Sequence, residues 1–233
     1  MGMIPKSLEK INRVCIATPC YGNSVTSQYL HSYGLTVEAL TRYGVEVNLI
    51  TVESDALIER ARNQCVHEFI EMNCDYLIFI DADIGWQPID LIRLLGSGKE
   101  FCGMAYPAKT DERRFVCNII KQNPFIVCHE TNFVKADHIG TGMMVLKKDA
   151  IIKMNHYHMS EGKWYRDWKT NNPVAKMFEV ALSSDGDNHL WSEDYVFCQK
   201  WKNLGGDIWI YPDGWLKHYG GKVWLDCLSK TND

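Results

Sequence analysis

The sequence of 233 residues has no long apolar run, no excess of basic residues and no CxxC pair. Because no stretch of about eighteen apolar residues occurs and no apolar segment stands near the N-terminus, we expect neither a transmembrane anchor nor a signal peptide. We therefore expect a soluble, cytoplasmic protein. The formal net charge of −4 offers no positive field, which argues against a nucleic-acid or anionic-membrane partner.

Cysteine is present in number but lacks the pattern of a disulfide framework. The nine cysteines are odd in number, and most of them lie within apolar stretches. We interpret them as small buried hydrophobic residues of a protein from a reducing compartment.

The most informative feature that the sequence does contain is an apolar segment that ends in two carboxylates. Residues 76–80 are all apolar or aromatic, as is typical of a buried strand, and Asp81-Ala82-Asp83 follows them. Side chains two positions apart point to the same side of a strand, so Asp81 and Asp83 share a side if the extended geometry continues. Such carboxylates repel each other at the edge of a core, and a divalent cation removes that repulsion. The pattern predicts a hard-metal site at the carboxyl end of a central strand; the alternative is an acidic loop that caps the helix after Pro88.

The first half of the chain alternates predicted strands with predicted helices. Strands are expected at residues 14–18, 45–51, 76–80 and 101–106, and helices with one apolar face separate them. This order is typical of a parallel, doubly wound sheet. With 46% hydrophobic residues the chain can bury one sizeable core, so we expect a single α/β domain.

After the fourth strand the alternation stops. Residues 115–128 resemble a hairpin, and a Gly-Thr-Gly segment leads into an apolar strand at residues 143–146. Residues 155–190 are polar, aromatic and poorly periodic, so we expect a mobile loop region there. The last expected elements are a helix that begins near Ser192 and a strand at residues 208–210.

Four motifs in a fixed order carry a resemblance to a known family. They are Ala17-Thr18-Pro19-Cys20-Tyr21 after the first strand, Arg60-Ala61-Arg62-Asn63 at a helix start, Asp81-Ala82-Asp83, and Ser192-Glu193-Asp194 with a later His218. Each motif alone is weak, and the ordered set is the signal. Over nearly its whole length the chain resembles nucleotide-sugar glycosyltransferases of the GT-A fold, close to the family-two type and its small viral and phage relatives.

The resemblance implies a fold and an activity. The fold would be GT-A (Rossmann-like), with a doubly wound, mostly parallel sheet and a smaller mixed C-terminal sheet in one domain over residues 1–233. Residues 1–107 would form the nucleotide-sugar-binding half and residues 108–233 the acceptor-side half. The enzyme would be hexosyltransferase-like and would move a sugar from a nucleoside-diphosphate sugar to a hydroxyl of a glycan or glycoprotein. Family frequency and Tyr21 as a stacking face favour a UDP-sugar, and a viral source would place the protein in the host cytoplasm.

The same resemblance implies a metal cofactor. The leaving group of such a transfer is a nucleoside diphosphate, and a divalent cation stabilises the negative charge that grows on it. Manganese and magnesium prefer oxygen ligands and accept imidazole. The implied ion is Mn²⁺, or Mg²⁺, held by Asp81, Asp83 and His218. Asp81 could instead contact the ribose, and His218 could be an ordinary polar residue.

The implied base and ribose contacts lie after the first two predicted strands. Pro19 and Tyr21 lie where the family binds the nucleotide base, although they could instead form a simple turn. Glu53 follows the second strand and could hold the base or ribose, or be a solvated residue.

The arginines near the second helix start are the implied phosphate contacts. Arg60 or Arg62 can pair with a diphosphate in fork geometry, and Arg62 is the favoured one. The alternative for both is a surface ion pair with Glu59 or Glu68. The complete implied donor-binding set is Thr18, Pro19, Tyr21, Glu53, Arg60, Arg62, Asp81 and Ala82.

The implied catalytic residue is Asp194, which would deprotonate the acceptor hydroxyl in an inverting transfer. Glu193 would be a structural or acceptor-binding neighbour. Acids are favoured in the first turn of any helix by the helix dipole, which is the simpler explanation for both residues. The dipole also lowers the pKa of a carboxylate, and we therefore expect Asp194 to be a weak base that accepts a proton late in the reaction.

Other functions are compatible with parts of the pattern. A retaining glycosyltransferase shares the fold and metal motif, and a nucleotidyltransferase shares the sheet and metal but usually has a Gly-rich basic loop after the first strand. A haloacid-dehalogenase-type phosphatase places its Asp-x-Asp after the first strand, whereas here the motif follows the third. A carbohydrate-binding module would keep the fold without turnover.

Overall fold

A computed structural model describes residues 8–120, 125–183 and 186–230 of the protein. The helices of these residues are α1 (Ser27–Thr41), α2 (Ile58–Met72), α3 (Pro88–Gly96), α4 (Lys148–Ser160) and α5 (Glu193–Asn203). The strands are β1 (Arg13–Cys20), β2 (Glu46–Glu53), β3 (Tyr76–Ile80), β4 (Ile84–Gly85), β5 (Phe101–Gly103), β6 (Cys117–Ile119), β7 (Val127–Cys128), β8 (Phe133–Ile139), β9 (Met143–Lys147), β10 (Trp164–Arg166), β11 (Pro173–Ala175), β12 (Ala181–Leu182), β13 (Leu190–Trp191), β14 (Ile208–Ile210), β15 (Trp215–Tyr219) and β16 (Val223–Cys227).

The central sheet is mixed and has the strand order β2-β1-β3-β9-β5-β14-β8-β6, with β7 also paired to β8. β1 pairs in parallel with β2 and β3, and β14 pairs in parallel with β5. β9 lies between β3 and β5 and runs antiparallel to both. The four strands predicted in the first half therefore share one direction, as expected, but an antiparallel strand interrupts them.

The interruption follows from the connection between β5 and β9. A parallel neighbour needs a crossover of a dozen or more residues, which is usually a helix. The described residues between β5 and β9 contain no helix, and the chain returns as an antiparallel strand. Met143 to Leu146 are fully buried, which suits a strand with both of its faces covered.

Two apolar cores cover the two faces of the sheet. Alternate residues of β1 divide between them: Cys15 and Ala17 belong to the core that packs under α2, α4 and α5, whereas Val14 and Ile16 belong to the core under α1 and α3. This division follows from the two-residue period of a strand. Helices thus cover both faces, as the doubly wound prediction requires.

The second half of the chain differs most from the prediction. Residues 155–190 were predicted as a mobile loop, yet the described part of this range includes the end of α4, the short strands β10 to β12 and the start of β13. Residues 184–185 of the range lie outside the described residues. α4 buries only Ala150, Ile151, Met154 and His158 among its thirteen residues, which is too sparse an apolar face to recognise in the sequence. The predicted hairpin is also wrong: β6 and β7 both pair with β8, and residues 121–124 lie outside the described residues.

A small sheet of β16, β15 and β4 lies beside the carboxyl end of β3. All its pairings are antiparallel, so the predicted mixed C-terminal sheet is wrong in this respect. The register places His218 opposite Ile84, and the Tyr219 amide donates to the Asp83 carbonyl at 2.9 Å. The sheet thereby brings His218 from the far end of the chain to the Asp81–Asp83 segment.

The cysteines are all free thiols, and most of them are buried. In the part of the chain that the structure describes, we find no helix of the length and apolarity that crossing a membrane requires.

Candidate functional site

A cleft of about 480 Å³ opens beside the carboxyl ends of β1 and β3, and we call it the carboxylate cleft. The Ala82 carbonyl accepts a hydrogen bond at 2.9 Å from the amide of Thr26, the N-cap residue of α1, which fixes the segment after β3. Tyr21 is 72% exposed. The predicted site residues that line the cleft together are Pro19, Tyr21, Arg62, Asp81, Ala82, Asp83 and His218.

The two carboxylates of the motif have different partners. The Ile84 amide donates to the Asp81 carbonyl at 3.0 Å, so the chain turns directly after β3 instead of staying extended. The expectation from strand periodicity therefore does not apply beyond residue 80. Asp81 binds Arg62, whereas Asp83 binds Lys109, and both carboxylates still line the carboxylate cleft.

Arg62 is a buried cation that joins the two predicted acidic motifs. Its side chain is only 5% exposed, and it donates to Asp81 Oδ1 from Nη2 at 3.1 Å and to Glu193 Oε1 from Nε at 3.0 Å. Burial opposes its charge, but Asp81 and Glu193 outweigh burial and raise the pKa of Arg62. The alternative of a surface pair with Glu59 or Glu68 is wrong.

One donor of Arg62 remains available. Nη1 has no hydrogen-bond partner among the described residues, although it is buried. A buried guanidinium nitrogen without an acceptor is costly, and Arg62 lines the carboxylate cleft. The arrangement suits an acidic or hydroxyl-bearing ligand that enters the cleft.

Asp83 and His218 form a pair of potential metal ligands. A carbonyl oxygen only accepts, so His218 Nδ1 donates to the Pro107 carbonyl at 2.9 Å and leaves Nε2 directed at Asp83, 3.6 Å from Oδ2. Metal-binding histidines are commonly oriented by such a second hydrogen bond. Burial raises the pKa of Asp83, but His218 and Lys109 outweigh it and hold that pKa below its ordinary value.

This pair fits a divalent cation only in company with other ligands. The described residues include no cluster of three or more His, Cys, Asp or Glu side chains arranged for a metal. Asp81, the third predicted ligand, is bound to Arg62. A small hard ion is often held by one or two carboxylates together with substrate phosphates, and Asp83 could supply such a carboxylate with the His218 imidazole beside it.

Asp194 lies at the start of α5 with its side chain almost fully buried. Its Oδ1 accepts from the Ser192 hydroxyl and, at 2.9 Å, from the Tyr195 amide. Burial, together with the neighbouring Glu193 charge, raises the pKa of Asp194 to about 6. The expected lowering by the helix dipole is therefore wrong, because desolvation exceeds it, and the carboxylate is a stronger base than predicted.

Tyr106 is a residue of the carboxylate cleft that the sequence did not indicate. A Cβ added to Gly140 or Gly142 would lie 2.5 Å from Tyr106 atoms, so these glycines provide the space for its ring. Its edge meets the His218 ring at a centroid distance of 5.2 Å. Burial raises the pKa of Tyr106 well above its ordinary value, and the phenol stays neutral.

Three predicted donor-binding residues lie away from the carboxylate cleft. Thr18 is fully buried, and its hydroxyl bonds to Tyr29 at 2.5 Å. Glu53 and Arg60 line a separate cleft of about 520 Å³ beside β2. Arg60 is held there by Asp55 at 2.7 Å, so its predicted alternative partners, Glu59 and Glu68, are wrong.

Comparisons with known proteins support the fold. The chain matches no protein-family profile and no curated protein. Among solved structures it is similar to A197 from STIV, with 15% identity, a TM-score of 0.57 and coverage of 95% of this chain and 98% of the other. It is also similar to GalNAc-T7 solved with UDP, GalNAc and Mn²⁺, with 8% identity and a TM-score of 0.54. That match covers 90% of this chain but 44% of GalNAc-T7. At these identities the similarity shows a shared, GT-A-like fold.

Proposed function

We propose that the protein is a glycosyltransferase that moves a sugar from a UDP-sugar to a hydroxyl of a glycan or glycoprotein, with inversion at the anomeric carbon. The observation that carries the proposal is the convergence of Asp81, Asp83, Arg62 and His218 in one cleft at the carboxyl end of β3. Open α/β sheets bind ligands at this edge. The fold shared with GalNAc-T7, which was solved with UDP and Mn²⁺, supports the same assignment.

The proposed donor site uses the exposed and unpaired groups of the carboxylate cleft. Tyr21 and Pro19 offer a face to the base, and Arg62 Nη1 offers a hydrogen bond to the diphosphate or sugar. Asp83 and His218 would hold Mn²⁺ or Mg²⁺, with Asp81 beside them. When bound, the ion would neutralise the leaving diphosphate as a Lewis acid.

The two halves of the chain are proposed to have different functions. Residues 1–107 would supply most of the donor site, and residues 108–233 would supply the acceptor side. Asp194 would remove the acceptor proton while the acceptor oxygen bonds to the anomeric carbon and the bond to the diphosphate breaks. A base with a pKa of about 6 is ionised at neutral pH and still able to accept a proton.

Donor binding is tested with a panel of nucleotide sugars and Mn²⁺ in thermal unfolding. A ligand at a hundredfold excess over its Kd should stabilise the folded protein by about 2.7 kcal/mol. Asp83→Asn should abolish the Mn²⁺-dependent part of this gain. Asp111→Asn is the matched control, because Asp111 forms a surface pair with Lys222.

Turnover is tested by identifying the released product. A glycosyltransferase releases UDP from a UDP-sugar, whereas a nucleotidyltransferase would release pyrophosphate from a nucleoside triphosphate. Pyrophosphate release, or binding without any release, would contradict the proposal.

A further inference from the structure

Lys109 binds the same oxygen of Asp83 that faces His218. Its Nζ lies 2.5 Å from Asp83 Oδ2, and His218 Nε2 lies 3.6 Å from the same oxygen. An ammonium so close to a carboxylate occupies the position in which a cation would bind. Asp83 therefore already has a positively charged partner within the protein.

A divalent cation and the Lys109 ammonium cannot share this oxygen. Mg²⁺ binds oxygen at about 2.0–2.1 Å, so both charges would lie within a few ångströms of each other. Their repulsion at that distance is strong even with a moderate effective dielectric constant. An ion that binds Oδ2 beside His218 thus requires Lys109 to leave.

The surroundings of Lys109 permit such a movement. Lys109 follows β5 in a segment without helix or strand, and its side chain is 37% exposed. Its aliphatic stem passes Gly220, where an added Cβ would lie 3.3 Å from Lys109 Cδ. A lysine ammonium on a flexible four-carbon stem can exchange one acidic partner for another.

We propose that Lys109 is an internal counter-cation of Asp83, which a divalent ion must displace and which then pairs with the donor diphosphate. The proposal deepens the function proposed above and rests on it. It implies that the free protein binds the metal weakly, and that metal and nucleotide favour each other's binding. Displacement gives Asp83 to the ion, and the diphosphate gives Lys109 a new anionic partner.

The test measures Mn²⁺ affinity by the electron paramagnetic resonance signal of the free ion, first without nucleotide. Lys109→Gln should bind Mn²⁺ about tenfold more tightly than the unmodified protein, within the usual range for coupled sites. Lys222→Gln removes the same charge from the nearby surface pair with Asp111 and should leave the affinity unchanged. Asp83→Asn in the Lys109→Gln background should abolish the gain, and thermal unfolding checks that each variant is folded.

The second arm repeats the titration with UDP present. UDP should strengthen Mn²⁺ binding by a larger factor in the unmodified protein than in Lys109→Gln. Equal Mn²⁺ affinities of the two proteins without UDP would overturn the counter-cation proposal and leave metal-dependent donor binding intact. No saturable Mn²⁺ binding by any variant, with or without UDP, would overturn both the counter-cation and the metal requirement, while release of UDP from a UDP-sugar would still test sugar transfer.

Discussion

The guanidinium of Arg62 bonds to Glu193 through Nε at 3.0 Å, although the next residue, Asp194, is equally buried and acidic. The two neighbouring carboxylates therefore have different hydrogen-bond partners. Glu193 shares a buried cation with Asp81, whereas Asp194 accepts only neutral donors from Ser192 and Tyr195 among the contacts within the described chain. A buried carboxylate with neutral partners has a raised pKa and is suited to accept a proton.

Arg62→Met should strongly destabilise the protein. The variant leaves Asp81 and Glu193 without their cation, and breaking a buried pair from one side typically costs about 3–5 kcal/mol. Urea unfolding measures the loss. Arg60→Met is the control, because the Asp55–Arg60 pair is more exposed and should contribute about 1 kcal/mol or less. Similar losses in the two variants would contradict the role given to Arg62.

Gly142→Ala should destabilise the protein by about 1–3 kcal/mol, since the added methyl group collides with the Tyr106 ring. Gly34→Ala is the matched control, because Gly34 is an exposed residue of α1 with open space around it, and alanine there should be neutral or slightly stabilising. Tyr106→Ala should remove most of the difference that Gly142→Ala makes. If Gly142→Ala destabilises the Tyr106→Ala variant just as much, contact with the Tyr106 ring is not what requires glycine at this position.

The local features of the fold could be predicted because each depends on a few residues that are close together in the sequence. The apolar run before Asp81 and the helix start at Ser192 both appear in the structure. The antiparallel β9 could not be predicted, since its neighbours are chosen by long-range pairing of strands that are equally apolar.

For the candidate site, sequence motifs could indicate which residues lie together, whereas their functional roles stay predictions. The motifs located Arg62, Asp83 and His218, which the carboxylate cleft brings together. The contact between Lys109 and Asp83 could not be predicted, because Lys109 belongs to no motif and lies 26 residues away in an irregular segment. The raised pKa of Asp194 depends on burial, which a first-turn acid in a sequence does not disclose.

The stability of Asp194→Asn relative to the unmodified protein should depend on pH in a defined direction. The pKa of Asp194 is about 6 in the folded protein and near its ordinary value of 3.8 when unfolded. The folded state therefore binds the proton of this carboxyl more tightly than the unfolded state does. Burial of Asp194 does not lower the free energy of unfolding below about pH 4, where the carboxyl is protonated in both states. Between about pH 4 and pH 6 the free energy of unfolding falls, and above about pH 6 the loss is complete. A shift of this size corresponds to about 3 kcal/mol. Asparagine keeps the hydrogen bonds without the charge.

Urea unfolding of Asp194→Asn at pH 4 and pH 7.5 measures this effect. The variant should gain stability over the unmodified protein at pH 7.5 and little or none at pH 4. Asp226→Asn, which loses a partly exposed pair with Arg113, should instead be less stable at pH 7.5. A stability difference for Asp194→Asn that does not change with pH would show that Asp194 titrates normally.

Turnover should depend on the ionised form of Asp194. Activity with a competent acceptor should rise with pH through about 6, because a protonated carboxyl cannot take the acceptor proton.

Asp194→Asn should lower kcat by about 10²–10⁴-fold, the usual contribution of a general base, and should remove this rise from the pH profile. UDP binding in the presence of Mn²⁺ should be unchanged, since the groups proposed to hold the ion and the diphosphate are Asp83, His218 and Arg62. A base-assisted single displacement inverts the anomeric centre, so product configuration is an independent measurement. Near-normal turnover of the variant, or a product of retained configuration, would remove Asp194 from the role of base.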